Sequence, residues 1–568
     1  MLQKSVPTKQ VLSFFLIFWT ALNLLQAGFT GIHPDEAYYW LYSKFLDWGY
    51  FDHPPMVAVF IKAGDLISHS TLGLRLLTVL SSTLSAYLLW LILKKYHDNV
   101  KLFILLFSSI LIFHVYGFIT TPDSPLLLFV VLFFYVYQRY VQEDKTKWVV
   151  LLSLIIAGML YSKYHGILIV VFTLLSNLKL FRRSSFWLIA GLSVTFFAPH
   201  VFWQIENGFP SVYYHLFDRS AKAYRFSYTT DYVLAQILLA GPLTGWFLYK
   251  AATKYSGNDL FIKAIRFNFY GILVFFLLST LKGRVEAHWA LLTFPCILIL
   301  SYLYLVTRKL PRWLTKLAVA NLTLILIARV LFIIPVPWIS KLKFMSGYFN
   351  SKEWALKVDS LAGDKPVILM GGFQEASLYN FYNNTTKGFA YDTRYYRKTQ
   401  FDIWPLEDSL RNHDAYYVTR ESHGLSQIED SIETEKGVYY GTTIKDARLY
   451  QKVNISTEPF TDNWKAGGLR SVKITIKNPY AEEISFSDKN ETWKSYLEYA
   501  FIDNGDLLSF NSVIGKMNRF KIAASGSLTI PVIIKAPKKS GKYKLVFSIR
   551  TDPFPGSRNS GMIPVIIN

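Results

Sequence analysis

Cysteine is almost absent: Cys296 is alone in 568 residues, which excludes an intramolecular disulfide and a cysteine-rich metal site. Charge is scarce too. Only 17% of residues are charged, against about 25% in an ordinary soluble protein, so most of the chain is not built to face water. Acids are the scarcer sign, with 39 Asp and Glu against 60 Lys and Arg. No glycine-rich phosphate loop stands out, which argues against a nucleotide sugar held at a Rossmann-type site. No closely spaced ligand pair such as H-x-x-x-H marks a metal centre. Asp52, His53 and His288 are the residues that could together hold a divalent metal, and the pattern requires no cofactor. There is no sustained repeat and no low-complexity tract.

Apolar residues fill the chain instead, at 52% of its length. Runs at 11–29, 72–93, 102–119, 126–140, 186–203, 233–248, 267–281, 290–306 and 317–334 approach the roughly 17–25 residues that cross a bilayer. Two shorter runs, 148–161 and 166–180, meet at "YSKYHG" and read as a pair that turns at the membrane surface or inside a cavity. The expectation is a polytopic α-helical membrane protein of about eleven spans. The first run follows Lys4 and Lys9 and reads as a retained signal-anchor.

The net charge of +21 would suit nucleic acid, but its placement argues for lipid. Lys94/Lys95/Lys101, Arg139/Lys145/Lys147, Lys179/Arg182/Arg183, Lys250/Lys254/Lys263/Arg266 and Arg308/Lys309/Arg312/Lys316 fall in alternate loops. That is the positive-inside pattern, and it places the N-terminus in the cytoplasm. Everything after Pro335 then faces the other side of an inner membrane. There, residues 341–450 read as a small α/β domain, from "KPVILMGG" followed by "QEASLYNFYNN". Residues 451–568, with "RSVKITIKN", "SLTIPVIIKAP" and "KYKLVFSIR", alternate as a β-sandwich does. Residues 1–340 form the membrane domain.

Chemistry is concentrated at the mouth of the first span, in "HPDEAYYWLYSKFLDWGYFDHPP". Asp35 and Asp52 flank an aromatic segment that reads as an interfacial amphipathic helix, whose rings, Tyr39 among them, suit both headgroups and sugar faces. A carboxylate at the membrane boundary can take a proton from an attacking hydroxyl. Acids at the start of a helix also favour its first turn without any catalysis, so Asp35 and Glu36 have a structural reading as well. Cations are few on the outer face and work against the topology bias there. His53, Lys163 and one of Arg219, Lys222 and Arg225 are candidates for a lipid-linked phosphate. Glu286 and His288 sit between two spans and could line the same site, as could Asp123 in "TTPDSP", which also reads as a helix cap.

The Asp-Glu pair followed by "GYFDHPP", with "TTPDSPLLLF", "LYSKYHGIL" and "EAHW" further on, resembles the bacterial relatives of the protein O-mannosyltransferases. It is also similar to the aminoarabinose–lipid A transferases. Both are polytopic GT-C glycosyltransferases that use polyprenyl-phosphate sugars, and the resemblance covers roughly residues 1–340. It implies that Asp35 is the catalytic carboxylate, Glu36 its neighbour and Asp52 the second loop acid. His53 stands where the lipid A enzymes carry a phosphate-binding lysine. The implied activity is inverting transfer of a monosaccharide from a polyprenyl phosphate to a lipid, glycan or protein acceptor at the outer face of the inner membrane. A transporter or flippase of lipid-linked sugars is the alternative, though its ionisable groups should lie within the spans; an O-antigen ligase or polymerase is another.

Overall fold

The computed structural model describes residues 7–568 except 219–223, 335, 337, 339–341, 343, 344, 346, 347, 392–397, 422–424, 426, 435, 436, 459–462, 487–493, 504, 505, 509 and 514–519. The chain divides into two units, Met1–Phe349 and Asn350–Asn568.

The first unit is helical. Between the long helices α1 (Thr8–Phe29) and α4 (Thr71–Lys94) lie two short ones, α2 (Pro34–Lys44) and α3 (Met56–Asp65). Then follow α5 (Val100–Ser109), α6 (Leu111–Val115), α7 (Asp123–Tyr140), α8 (Thr146–Ser162), α9 (Ile167–Ser176) and α10 (Ser184–Glu206). The unit is completed by α11 (Pro210–Tyr213), α12 (Phe226–Ala240), α13 (Gly245–Lys254), α14 (Leu260–Ser279), α15 (Phe294–Leu305) and α16 (Arg312–Leu331). α15 is buried along almost its whole length, from Phe294 to Leu303, whereas α1 and α10 turn large apolar side chains such as Phe14, Phe18, Trp187 and Phe202 outward. A helix that is apolar and yet exposed suits a lipid solvent.

Six helices among the described residues are long and apolar enough to cross a membrane, or seven if α12 and α13 count as one broken span. The protein is thus a multi-pass membrane protein, but several expected spans are shorter or interrupted. The 102–119 run breaks at Ile110 into α5 and α6. The 233–248 run turns by 90° between α12 and α13, at Gly241, whose φ is 141°, followed by Pro242, which has no N–H to continue a helix. A broken helix inside a bilayer must have its freed backbone groups satisfied by protein. Asn321 of α16 does this for both breaks: its side-chain oxygen accepts from Leu243 N and its amide donates to Ser109 O, each at 2.9 Å.

The second unit begins with the helix Ser351–Ala362 and a mixed five-stranded sheet of order β2-β1-β3-β5-β4. β1 (Val367–Leu369) runs parallel to β2 (Gly388–Ala390) and β3 (Ala415–Thr419). β5 (Gly437–Ile444) is antiparallel to β3 and to β4 (Asp430–Thr434). The helix Phe373–Tyr382 makes the crossover from β1 to β2. From Asn454 onward the chain forms mainly antiparallel sheets. Strands Asn454–Thr457, Leu469–Lys477 and Ser527–Lys535 make one, and Ser495–Asp503, Gly541–Thr551 and Ile563–Ile567 are the main strands of the other. Alternate residues, including Ile474, Ile476, Phe501, Leu545 and Phe547, point into their shared core, as the period-2 pattern requires.

Glu407 is buried within this unit. Its carboxylate accepts from Tyr480 Oη at 2.8 Å and from Gln451 N at 2.6 Å, and burial pushes it up to about 7. A carboxyl raised in this way contributes its full stabilisation below the unfolded value of about 4.3 and loses it as pH rises through about 7. The thermal midpoint of the second unit should therefore fall on going from acid to mildly alkaline buffer. Glu407→Gln, which keeps an acceptor for both donors, should flatten that slope in a calorimetric pH series; an unchanged slope would place the dependence on another group.

Candidate active site

The acidic loop after α1 is shaped by one buried ion pair. His33 caps α2: its Nδ1 accepts from Asp35 N while its own N–H donates to Glu36 Oε2, and Pro34 occupies the first turn where its missing donor costs nothing. Glu36 points inward and is fully buried with Arg75 of α4. Arg75 donates to it through Nε at 2.8 Å and Nη2 at 2.6 Å. The same guanidinium donates to the carbonyls of Ala27, Thr30 and Gly31, and Thr120 N completes the set on Glu36 Oε1. Glu36 thereby joins α1, α2, α4 and the segment before α7, and does not line the cavity described below.

The rest of the loop is pinned to α10 and α11. Trp203 Nε1 donates to Asp47 Oδ2 at 2.7 Å, His200 Nδ1 lies 2.7 Å from Trp48 O, and Ser211 Oγ donates to Tyr50 O. Gly49 is required at its place, because a Cβ there would collide with the indole of Trp203. Tyr50 stacks on Tyr42 with ring centroids 3.9 Å apart, and Tyr42 Oη donates to Asp52 Oδ1 at 2.6 Å.

Three carboxylates lie within electrostatic reach of Tyr39. Asp35, Asp52 and Asp123 all act electrostatically on its buried phenol, which burial and those charges push well above its ordinary value. The acids are not equivalent. Asp123, at the start of α7, receives Lys163 Nζ on both oxygens at 2.8 Å, with His288 Nε2 at 3.7 Å. Asp52 is buried and held by Tyr42. Asp35 is the most open of the three, with 38% of its side chain exposed and His33 Nδ1 at 3.8 Å.

Beside them lies a cavity of 340 Å³ lined by His53, Lys163, Tyr164, His165, His215, Lys282 and Arg284 over an apolar wall that includes Phe275, Phe276 and Trp289. Lys163 stands at the break between α8 and α9 in extended backbone, which is how a helical pair brings a lysine to a cavity. His53 is expected from its ordinary value to be partly charged near neutrality. Burial pushes it down to about 3, so it meets a ligand as a neutral imidazole. Positive charge comes from Lys163, Lys282 and Arg284.

Of the other expected site residues, Glu286 lies 3.6 Å from Arg284, and Arg225, exposed at the start of α12, is not among the residues lining the cavity. Arg219 and Lys222 fall outside the described residues. Among the described residues no group of three or more His, Cys, Asp and Glu side chains is placed to hold a metal ion, so Asp52, His53 and His288 do not form such a group. His215, missing from the expected set, lines the cavity and places Nε2 2.9 Å from Asp52 O. It is a lone histidine with no motif around it, whereas Tyr164 and His165 lie inside "YSKYHG" and Lys282 and Arg284 are cations of "KGRVEAHW".

The family model for dolichyl-phosphate-mannose-protein mannosyltransferase matches residues 52–203, which begin at the second loop acid and include Asp123 and Lys163. Two crystal structures of ArnT from Cupriavidus metallidurans are similar to this chain, each with a TM-score of 0.57. The apo form is 15% identical and covers 76% of this chain and 98% of its own. The form bound to undecaprenyl phosphate is 14% identical and covers 77% and 98%. No curated protein sequence matches the chain. Over about three quarters of its length the chain shares the fold of these ArnT structures.

Lys163→Met would leave Asp123 buried without its ammonium, a change that costs roughly 3–5 kcal/mol for a buried pair. A clear loss of thermal stability is expected, most of it recovered when Asp123→Asn is added. Wild-type stability in the single variant would show that the pair does not hold the α8–α9 break in place.

Proposed function

We propose that this protein is an inverting glycosyltransferase that moves a monosaccharide from a polyprenyl phosphate to a lipid, glycan or protein acceptor at the outer face of the inner membrane. The observation that carries the reading is a cation-lined cavity in a helical membrane unit, whose Lys163 is held by Asp123 and whose His53 follows Asp52 and packs on Tyr39, with Asp35 within electrostatic reach of that ring. A nearby apolar cavity supports a lipid donor. Leu160 and Ile167, which flank the Lys163–His165 turn, line a second space of 340 Å³ between α7, α8, α9 and α10, walled almost entirely by apolar and aromatic side chains. A phosphate near Lys163 would therefore have room for its chain along the same helices.

In this mechanism an acceptor hydroxyl attacks C1 of the donor sugar. Asp35, the most exposed of the three acids, takes the hydroxyl proton as general base. The C1–O bond to the lipid phosphate breaks with its electron pair leaving on the phosphate oxygen, and the charge developing there is met by Lys163, Lys282 and Arg284. Neutral His53 can donate a hydrogen bond without adding charge. Asp123 keeps Lys163 in position. Attack opposite the leaving phosphate inverts the anomeric carbon. The alternation of basic loops supports a cytoplasmic N-terminus, with the acidic loop and the second unit on the outer side.

Asp35→Asn separates catalysis from capping. The amide keeps the shape at the start of α2 but cannot accept the proton. Loss of a cap costs about 0.5–2 kcal/mol even on truncation to Ala, whereas general base catalysis contributes roughly 10²–10⁴ in rate. Purified variant supplied with polyprenyl-phosphate sugars should turn over at least about a hundredfold more slowly, with its melting temperature little changed. Near-normal turnover would remove Asp35 from the chemistry.

A further inference from the structure

One end of the antiparallel sandwich in the second unit carries a surface that sugar transfer does not use. The segment Lys465–Gly468 lies against the turn at 536–541: Gly467 N donates to Pro537 O and Ala536 N to Gly468 O, each at 2.9 Å. Strand pairing sets Leu469 opposite Lys535 and Ile566 opposite Lys542. Lys465, Lys535, Lys538, Lys539 and Lys542 are thus gathered at this end, all exposed. Elsewhere in the unit Lys452, Lys473 and Lys521 each hold a carboxylate at 2.7–2.8 Å. The five gathered lysines make no ion pair among the described residues.

Apolar side chains stand among them. Leu469 is 65% exposed and Ile533 more than a third exposed, both on the sheet that carries Lys535. Ile533 is two residues from Lys535 and so on the same outward face as Leu469. Like charges gathered without an ion pair, with exposed aliphatic groups beside them, form the pattern that seats on anionic lipid: lysines meet the headgroup phosphates and the aliphatic groups enter the acyl boundary. The second unit continues directly from the membrane unit at Asn350, so chain connectivity keeps this surface at high effective concentration beside a bilayer.

We propose that this end of the sandwich docks on the anionic headgroups of the membrane, with Leu469 inserted among them and the five lysines on their phosphates. The proposal is independent of the sugar-transfer reading. Cys296 is buried, so Leu469→Cys in the full chain can be labelled selectively with an environment-sensitive fluorophore. The labelled protein is placed in nanodiscs of phosphatidylcholine alone or mixed with phosphatidylglycerol. Emission should shift to shorter wavelength only in the anionic discs. The shift should be lost in about 1 M salt, where the screening length falls to about 3 Å, and in the Lys538→Glu/Lys539→Glu variant, which changes exposed positions and should leave transfer activity intact. Equal emission in both lipids, or a shift indifferent to the charge reversal, would overturn the proposal. So would a shift seen in neutral discs on adding soluble polyphosphate, since the partner would then be a polyanion in solution.

Discussion

The buried pair of Glu36 and Arg75 is the constraint on which the architecture of the acidic loop in the membrane unit depends. A guanidinium and a carboxylate taken out of water cost more than their mutual attraction returns unless every remaining donor and acceptor is also matched. Here the matching groups are the carbonyls at the end of α1 and the amides of His33 and Thr120. Satisfying the pair therefore fixes the end of α1, the start of α2, the face of α4 and the approach to α7 with respect to one another. Asp35 and Asp123 lie next to these fixed points, so their separation is set by a structural ion pair that makes no contact with the cavity.

Given that framework, the electrostatics of the site follow from burial. Acids brought together repel, and here Asp123 is restrained by Lys163 and Asp52 by the Tyr42 phenol. His53, enclosed beside Lys163 and His215, cannot afford a charge and stays neutral. What is left facing the cavity is a set of cations on an apolar wall, an arrangement matched to an amphiphile with an anionic head.

Much of this was legible in the sequence, and the failures have physical causes. Apolar runs announced the membrane unit, and alternation announced the strands after Asn454. The breaks at Ile110 and Gly241 were harder to see, because Asn321, which makes them tolerable, is more than 70 residues distant in sequence. At the site, Asp35 and Glu36 look interchangeable as neighbours. A helix turns about 100° per residue, so one faces outward and the other inward onto Arg75, a partner no local pattern points to. Asp47 reads as one more loop acid, yet it receives the Trp203 indole N–H. The neutrality of His53 follows from burial, a tertiary property that its usual value does not show.

The central claim is that the cavity beside Tyr39 receives the phosphate of a polyprenyl carrier. A cryo-EM map of the purified protein with added undecaprenyl phosphate tests it most directly. The account predicts headgroup density in the cavity, within hydrogen-bonding distance of Lys163, Lys282 or Arg284, with the chain leading into the apolar space between α7 and α10. A headgroup seated elsewhere on the membrane unit, with this cavity left empty, would contradict it.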